Sequence, residues 1–138
     1  MSEHLSDIKV HVELNTQESA LETGNLQSVL SEIKFALNQL LEQKKSHTID
    51  LRAMPWSPGE EEKLENYLGQ GEIQVVMNAL GKSTFIETNY SGVWVVSHFS
   101  DEGEEIGKFI EVTHLPDMIF SQTEDIRNSF ERLTIDLD

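Results

Sequence analysis

Gly81-Lys82-Ser83 is the first group of residues whose types suggest a chemistry, because it resembles the end of a phosphate-binding loop. Such a loop has another glycine five residues earlier, where this chain has Val76. It also needs a strand before it and a helix after it, whereas the flanking sequence predicts the opposite order. We therefore interpret Gly81 as the end of a helix, and we do not predict a nucleotide site.

Histidines and carboxylates form the second group. Histidines stand at positions 4, 11, 47, 98 and 114, and none forms a pair with another ligand on one face of a predicted helix. His98 and Glu111 lie on neighbouring predicted strands, so a two-ligand surface site is conceivable, but a functional metal site needs three or four ligands. The acidic run from Glu60 to Glu62 suits the first turn of a helix, where the dipole favours negative charge. No metal ion and no other cofactor is predicted.

Nucleophilic catalysis finds little support in the sequence. The chain has no cysteine, which excludes thiolate nucleophiles, disulfides and cysteine-ligated clusters. No serine stands in the Gly-x-Ser-x-Gly pattern of hydrolases. We accordingly predict no catalytic residue, and we do not expect an enzyme.

Length and composition predict a single globular domain over 1–138. Of the 138 residues, 38% are hydrophobic and 25% are charged. The net charge is −15, with 25 acidic against 10 basic side chains. This surface repels phosphate backbones and anionic lipids, so neither nucleic acid nor membrane is expected as a partner, whereas a basic or neutral polypeptide is compatible with it. Without an apolar start or a run of about 20 apolar residues, the chain is expected to be cytoplasmic.

The central prediction is a meander of three antiparallel strands. Its strands are Ser83–Thr88, Gly92–Phe99 and Glu105–Thr113, which are rich in β-branched and aromatic residues. The turns between them fall at Asn89–Gly92 and Asp101–Glu104. This register places Ser100 opposite Glu105, with Trp94 between Glu87 and Glu111 on the neighbouring strands.

Hydrophobic periodicity predicts the remaining elements. Alternation predicts strands at Ile8–Leu14 and Thr48–Arg52, with a polar loop at Asn15–Gly24 after the first of them. A helix capped by Asn25 carries an apolar stripe of Leu26, Val29, Leu30, Ile33, Leu37, Leu40 and Leu41 and ends near Lys44. Three further helices are predicted. One begins at Ser57-Pro58-Gly59-Glu60 and ends at Gly69. The second covers Glu72–Leu80, with Ile73, Val76, Met77 and Leu80 facing inward, and the third covers Ser121–Leu133, with Ile126, Phe130 and Leu133 on one face.

These elements predict an α+β fold. An antiparallel three-stranded meander is extended by one or two further strands and packed with about four helices. Residues 1–24 are interpreted as a strand followed by a flexible loop of the same domain.

One face of the predicted meander is the candidate binding site. The opposite face, with Ile86, Val93, Val95, Phe99, Ile106, Ile110 and Val112, is an ordinary core. The candidate face, called the aromatic face below, carries Phe85, Trp94, Val96 and Phe109, with Glu87, His98 and Glu111 around them. An apolar patch with a polar rim is typical of protein-binding surfaces, so we predict partner-binding residues Phe85, Glu87, Trp94, His98, Phe109 and Glu111. The alternative is that a helix of the same chain covers this face.

Several segments together resemble a known family. They are Thr48–Arg52, Pro55-x-x-Pro58-Gly59, Leu68-Gly69-x-Gly71-Glu72-Ile73, Glu87-Thr88, Gly92-Val93-Trp94-Val95-Val96-x-His98 and Phe109-Ile110-Glu111-Val112. In this order and spacing, from about Ile33 to Leu133, they are similar to the C-terminal conserved region of the HupH/HyaF/HoxQ-type hydrogenase expression proteins. Two departures are the single copy of this region and Asn89-Tyr90-Ser91 before Gly92, where the family usually has a proline.

The resemblance implies an accessory maturation or assembly factor for a [NiFe] uptake hydrogenase. It implies chaperone-like binding to the iron–sulfur small subunit, to its twin-arginine precursor before export, or to other hydrogenase accessory proteins. The alternative left open is a ligand-binding, metal-binding or enzymatic domain with a pocket near Trp94, His98 and Glu111. A homodimer through the aromatic face or through the edge strand Ile8–Leu14 is a further expectation.

Overall fold

The computed structural model describes residues 24–138, and the predicted strand Ile8–Leu14 and the loop before Gly24 lie outside this part of the chain. Its α-helices are α1 (Asn25–Gln43), α2 (Glu60–Leu68) and α3 (Thr123–Leu137), and its strands are β1 (His47–Asp50), β2 (Gln74–Asn78), β3 (Lys82–Glu87), β4 (Val93–Phe99) and β5 (Glu105–Val112). The strands form one antiparallel sheet in the order β1-β5-β4-β3-β2. The fold is therefore α+β, with five strands and three α-helices in the described residues, where about four helices were predicted.

The meander β3-β4-β5 follows the predicted register over most of its length. Trp94 pairs with Glu87 on β3 and with Glu111 on β5. The register shifts at a bulge between His98 and Phe99, so that Glu105 pairs with Phe99 and not with Ser100. A bulge adds one residue to one strand, and the alternation of side chains that predicted the register cannot show where such an addition occurs.

The predicted helix over Glu72–Leu80 is wrong, because this segment forms β2 and the turn after it. Val75 and Met77 pair with Phe85 and Ser83 on β3 and pack on the same side of the sheet. Nine residues are too few to distinguish a helical from an alternating hydrophobic period. As a strand, this segment also provides hydrogen-bond partners for the backbone N–H and C=O groups on the outer edge of β3, which a helix could not do. Gly81, predicted to end this helix, lies in the β2–β3 turn.

Helices α1 and α2 cover the side of the sheet opposite the aromatic face. The main core joins Val29, Ile33, Ala36 and Leu40 of α1 and Leu64 and Leu68 of α2 to Ile49, Leu51, Val93, Ile110 and Val112. Val29, Ile33 and Leu40 were predicted in the apolar stripe of α1. Leu41 was predicted there as well, but it is 78% exposed. Lys108 on β5 ties α2 to the sheet, since its Nζ lies 2.6 Å from Oε2 of Glu65.

The helix starts differ from the predicted caps. Gly24, and not Asn25, is the N-cap of α1, and Gly59 is the N-cap of α2, two residues after Ser57. Glu60 nevertheless contacts Ser57 as in a capping box, because its Oε1 accepts a hydrogen bond of 3.0 Å from the Ser57 N–H. The N-terminal turn of α2 is thus fixed by a side chain within it.

Candidate functional site

The aromatic face is largely buried by the chain that follows β5. Phe85, Trp94 and Val96 form a second cluster, with Leu115 and Ile119 packed against it. The indole Nε1 of Trp94 donates a hydrogen bond of 3.2 Å to the carbonyl of Thr113. Phe85 and Trp94 are 0% and 1% exposed, so their side chains offer no surface to a partner in this conformation.

Glu87 and His98 make local contacts within the sheet and its turns. The Glu87 carboxylate accepts a hydrogen bond of 2.9 Å from the Gly92 N–H in the β3–β4 turn. The imidazole Nδ1 of His98 lies 2.7 Å from the Ser83 hydroxyl, and its ring lies beside Phe85 and Phe109, with centroids 6.4 and 5.8 Å away. These contacts give both side chains a role in holding the meander together.

His98 and Glu111 do not meet. His98 pairs with Gly107, whereas Glu111 pairs with Trp94, four residues further along β4 and β5. At about 3.3 Å of rise per residue, they are separated by about 13 Å along the strands. No group of three or more histidine, aspartate or glutamate side chains suited to hold a metal ion occurs in residues 24–138.

Glu111 belongs instead to a small acidic cleft beside the edge strand β1. The cleft has a volume of about 120 Å³ and is lined by Ser46, His47, Thr48, Glu111, Thr113, Asp117 and Met118. Burial raises the pKa of Glu111, and the nearby negative charge of Asp117 raises it further. Two carboxylates that repel each other favour the approach of a cation, so the cleft is suited to a basic side chain.

This cleft was not predicted from the sequence. Glu111 was predicted in the polar rim of the aromatic face, but no contact of Glu111 with Asp117 or with Thr48 of β1 was predicted. Asp117 follows Pro116 in a short 3-10 turn after β5, and its position depends on how that turn folds back over the sheet. Pairing of Thr48 with Glu111 likewise depends on the long-range contact between β1 and β5.

Helix α3 carries more of the exposed large apolar side chains than any other described helix or strand. Ile126, Phe130, Leu133 and Leu137 are spaced four, three and four residues apart, and they are 55%, 69%, 59% and 82% exposed. We call these four residues the C-terminal stripe.

The helix itself was predicted over Ser121–Leu133. In the structure it begins at Thr123 and extends to Leu137, and none of its residues is buried. None of the described helices is long and apolar enough to span a bilayer.

Comparison with known proteins shows the family. The family model for the C-terminal conserved region of the HupH hydrogenase expression protein matches residues 23–137. The chain belongs to this family. One solved relative, the hydrogenase expression protein HupH from Thiobacillus denitrificans, has 36% sequence identity and a TM-score of 0.80, and the match covers 84% of this chain and 97% of the relative.

Curated relatives of this family member are longer proteins. The hydrogenase expression/formation protein HoxQ of Cupriavidus necator is 30% identical over 110 residues, which are 80% of this chain and 39% of HoxQ. HupQ of Azotobacter chroococcum, with the same description, is 32% identical over 111 residues, which are 79% of this chain and 39% of HupQ. The chain thus spans about two fifths of the length of these relatives. The family resemblance expected from the sequence is confirmed.

Proposed function

We propose that this chain acts as a binding protein in hydrogenase assembly and not as a catalyst. The observation that carries the proposal is the family match over residues 23–137, in which the named relatives are hydrogenase expression/formation proteins. A binding role also suits the described residues, in which the histidine and carboxylate of the alternative pocket lie on separate parts of the sheet. The partner in this proposal is the iron–sulfur small subunit or its twin-arginine precursor, bound in the cytoplasm.

The acidic cleft supplies a physical basis for such binding. Glu111 and Asp117 place two carboxylates at one opening, and Met118, which is 49% exposed, adds an apolar wall. Arginine presents a planar fork of N–H donors that matches carboxylate oxygens, and its stem packs on apolar surface. We therefore propose that the basic start of the precursor binds at this cleft, with the half-buried Phe109, two residues before Glu111 on β5, as a neighbouring contact residue and His98 as a more distant one.

Deletion of the coding sequence from a hydrogenase-producing cell tests the proposed function. We expect hydrogen-uptake activity to fall and the small-subunit precursor to accumulate, because the precursor would mature less efficiently. Reintroducing the wild-type chain should restore both, while Glu111→Lys should restore them less well. Normal activity and normal precursor processing in the deletion strain would contradict the proposal.

A further inference from the structure

The C-terminal stripe has the spacing of a coiled-coil seam. Intervals of four, three and four residues place Ile126 and Leu133 at one core position of a heptad repeat and Phe130 and Leu137 at the other. A helix that packs on its own sheet would bury such a stripe, yet every one of these side chains is more than half exposed. The stripe is therefore arranged for packing against another helix.

We infer that α3 is the two-fold interface of a homodimer in which two C-terminal stripes pack antiparallel. In this arrangement Phe130 lies against Leu133 of the second copy, and Ile126 lies against Leu137. Both layers share one axis, which passes between Phe130 and Leu133, so a single rotation satisfies all four residues of each chain. An interface built from one surface on both copies is what two-fold symmetry requires.

The residues beside the stripe allow this pairing despite the acidic chain. Arg127 and Thr134 flank one side, and Ser129 and Asp136 flank the other. Antiparallel packing places Arg127 beside Thr134 of the second copy and Asp136 beside Ser129, so no two like charges oppose each other. The Ser129 and Thr134 hydroxyls already donate to carbonyls of their own helix, at 3.0 and 2.7 Å, and need no partner in the interface.

The apolar area that the stripe can bury limits the stability of this dimer. At roughly 100 Å² of accessible surface for each side chain of the stripe, two copies would bury about 800 Å², which is less than the roughly 1,200 Å² of stable interfaces and within the range of weak, transient ones. We therefore expect a dimer that dissociates on dilution. Self-association through α3 does not depend on the proposed role in hydrogenase assembly.

Sedimentation equilibrium of the full chain from micromolar to millimolar concentration is the direct test. We expect the mass to rise toward two chains, and Leu133→Glu to weaken the dimer by at least about tenfold, since it places a charge at the centre of the apolar seam. Ile135→Glu is the matched control: Ile135 lies on the same helix, is 73% exposed and is outside the stripe, so its effect should be below about twofold. A mass of one chain at millimolar concentration, or equal effects of the two substitutions, would overturn the inference.

Cysteine cross-linking tests the orientation, because the natural chain has no cysteine. Chains with Phe130→Cys and chains with Leu133→Cys are mixed and oxidised. Antiparallel pairing predicts that the disulfide forms mainly between the two different variants. Disulfides mainly between identical variants would show a parallel pair and overturn the antiparallel arrangement.

Discussion

Glu60 is a carboxylate with no exposed surface, and burial of such a group is unfavourable unless it is hydrogen-bonded. Its Oε1 accepts from the Ser57 N–H at 3.0 Å and from the Ser57 hydroxyl at 3.2 Å, and its Oε2 accepts from the Leu26 N–H at 3.2 Å. One side chain therefore joins the start of α2 to the start of α1.

Replacing this carboxylate should destabilise the fold. Glu60→Ala is expected to reduce the free energy of unfolding by about 2–3 kcal/mol, because it leaves partly buried N–H groups of Ser57 and Leu26 without their acceptor. Glu62→Ala, an exposed position in the same helical turn, should change it by less than about 0.5 kcal/mol. Urea unfolding of both variants measures the difference, and similar values for the two would show that Glu60 is not the joint.

Glu111 should make the stability of the fold depend on pH. Its pKa is raised from about 4.5 by burial and by Asp117, so the folded chain holds this proton more tightly than the unfolded chain. Its contribution to stability is therefore fully present below pH 4.5 and is lost as the pH rises through the raised pKa.

Removing this charge should stabilise the protein at neutral pH. Glu111→Gln is expected to increase the free energy of unfolding at pH 7, by less than about 1 kcal/mol because the site is partly open to water. The gain should shrink as the pH falls toward 4.5. Thermal unfolding across this range measures it. A gain that does not change with pH would show that titration of Glu111 is not its cause.

At the scale of elements, the β2–β3 turn depends on Gly81. Its φ is +115°, in the region that favours glycine, and a Cβ added there would lie 2.3 Å from the carbonyl oxygen of Phe99. This close approach packs the turn against the end of β4.

Gly81→Ala, compared with Gly103→Ala in the β4–β5 turn, separates the effect of backbone strain from the effect of the steric contact with Phe99. Gly103 also has a positive φ, +89°, but nothing lies within 4 Å of an added Cβ. We expect Gly103→Ala to cost about 1 kcal/mol of unfolding free energy from backbone strain, and Gly81→Ala to cost at least about 1 kcal/mol more because the Phe99 carbonyl must move. Chemical unfolding provides the comparison, and equal losses would contradict the steric contact.

The meander and α1 could be predicted because local patterns determine them. Alternation placed Trp94 between Glu87 and Glu111, and an apolar stripe placed Val29, Ile33 and Leu40 in the core. The same reasoning failed for β2, where Val76 and Met77 fit a helix as well as a strand and pairing with β3 decided the outcome. The acidic cleft could not be predicted, because it joins β1, β5 and the Asp117 turn through long-range contacts.

At the scale of the whole molecule, the charge of −15 should govern association with a basic partner. The chain's affinity for a peptide with the twin-arginine start of a hydrogenase precursor is expected to fall several-fold from low to high salt, because exposed charges are screened beyond about 8 Å at physiological ionic strength. Fluorescence anisotropy with a labelled peptide measures this dependence. An affinity that does not change with salt would remove long-range electrostatics from the account.

The central claim, that this chain binds a hydrogenase component during assembly, is tested most directly by co-purification. The tagged chain is isolated under native conditions from cells that produce the hydrogenase, together with Glu111→Lys and the charge-matched control Glu124→Lys, whose side chain is 76% exposed on α3. We predict that the small subunit or its precursor is enriched with the wild-type chain and with Glu124→Lys, and is depleted with Glu111→Lys. Recovery of no hydrogenase component above an untagged control would contradict the claim.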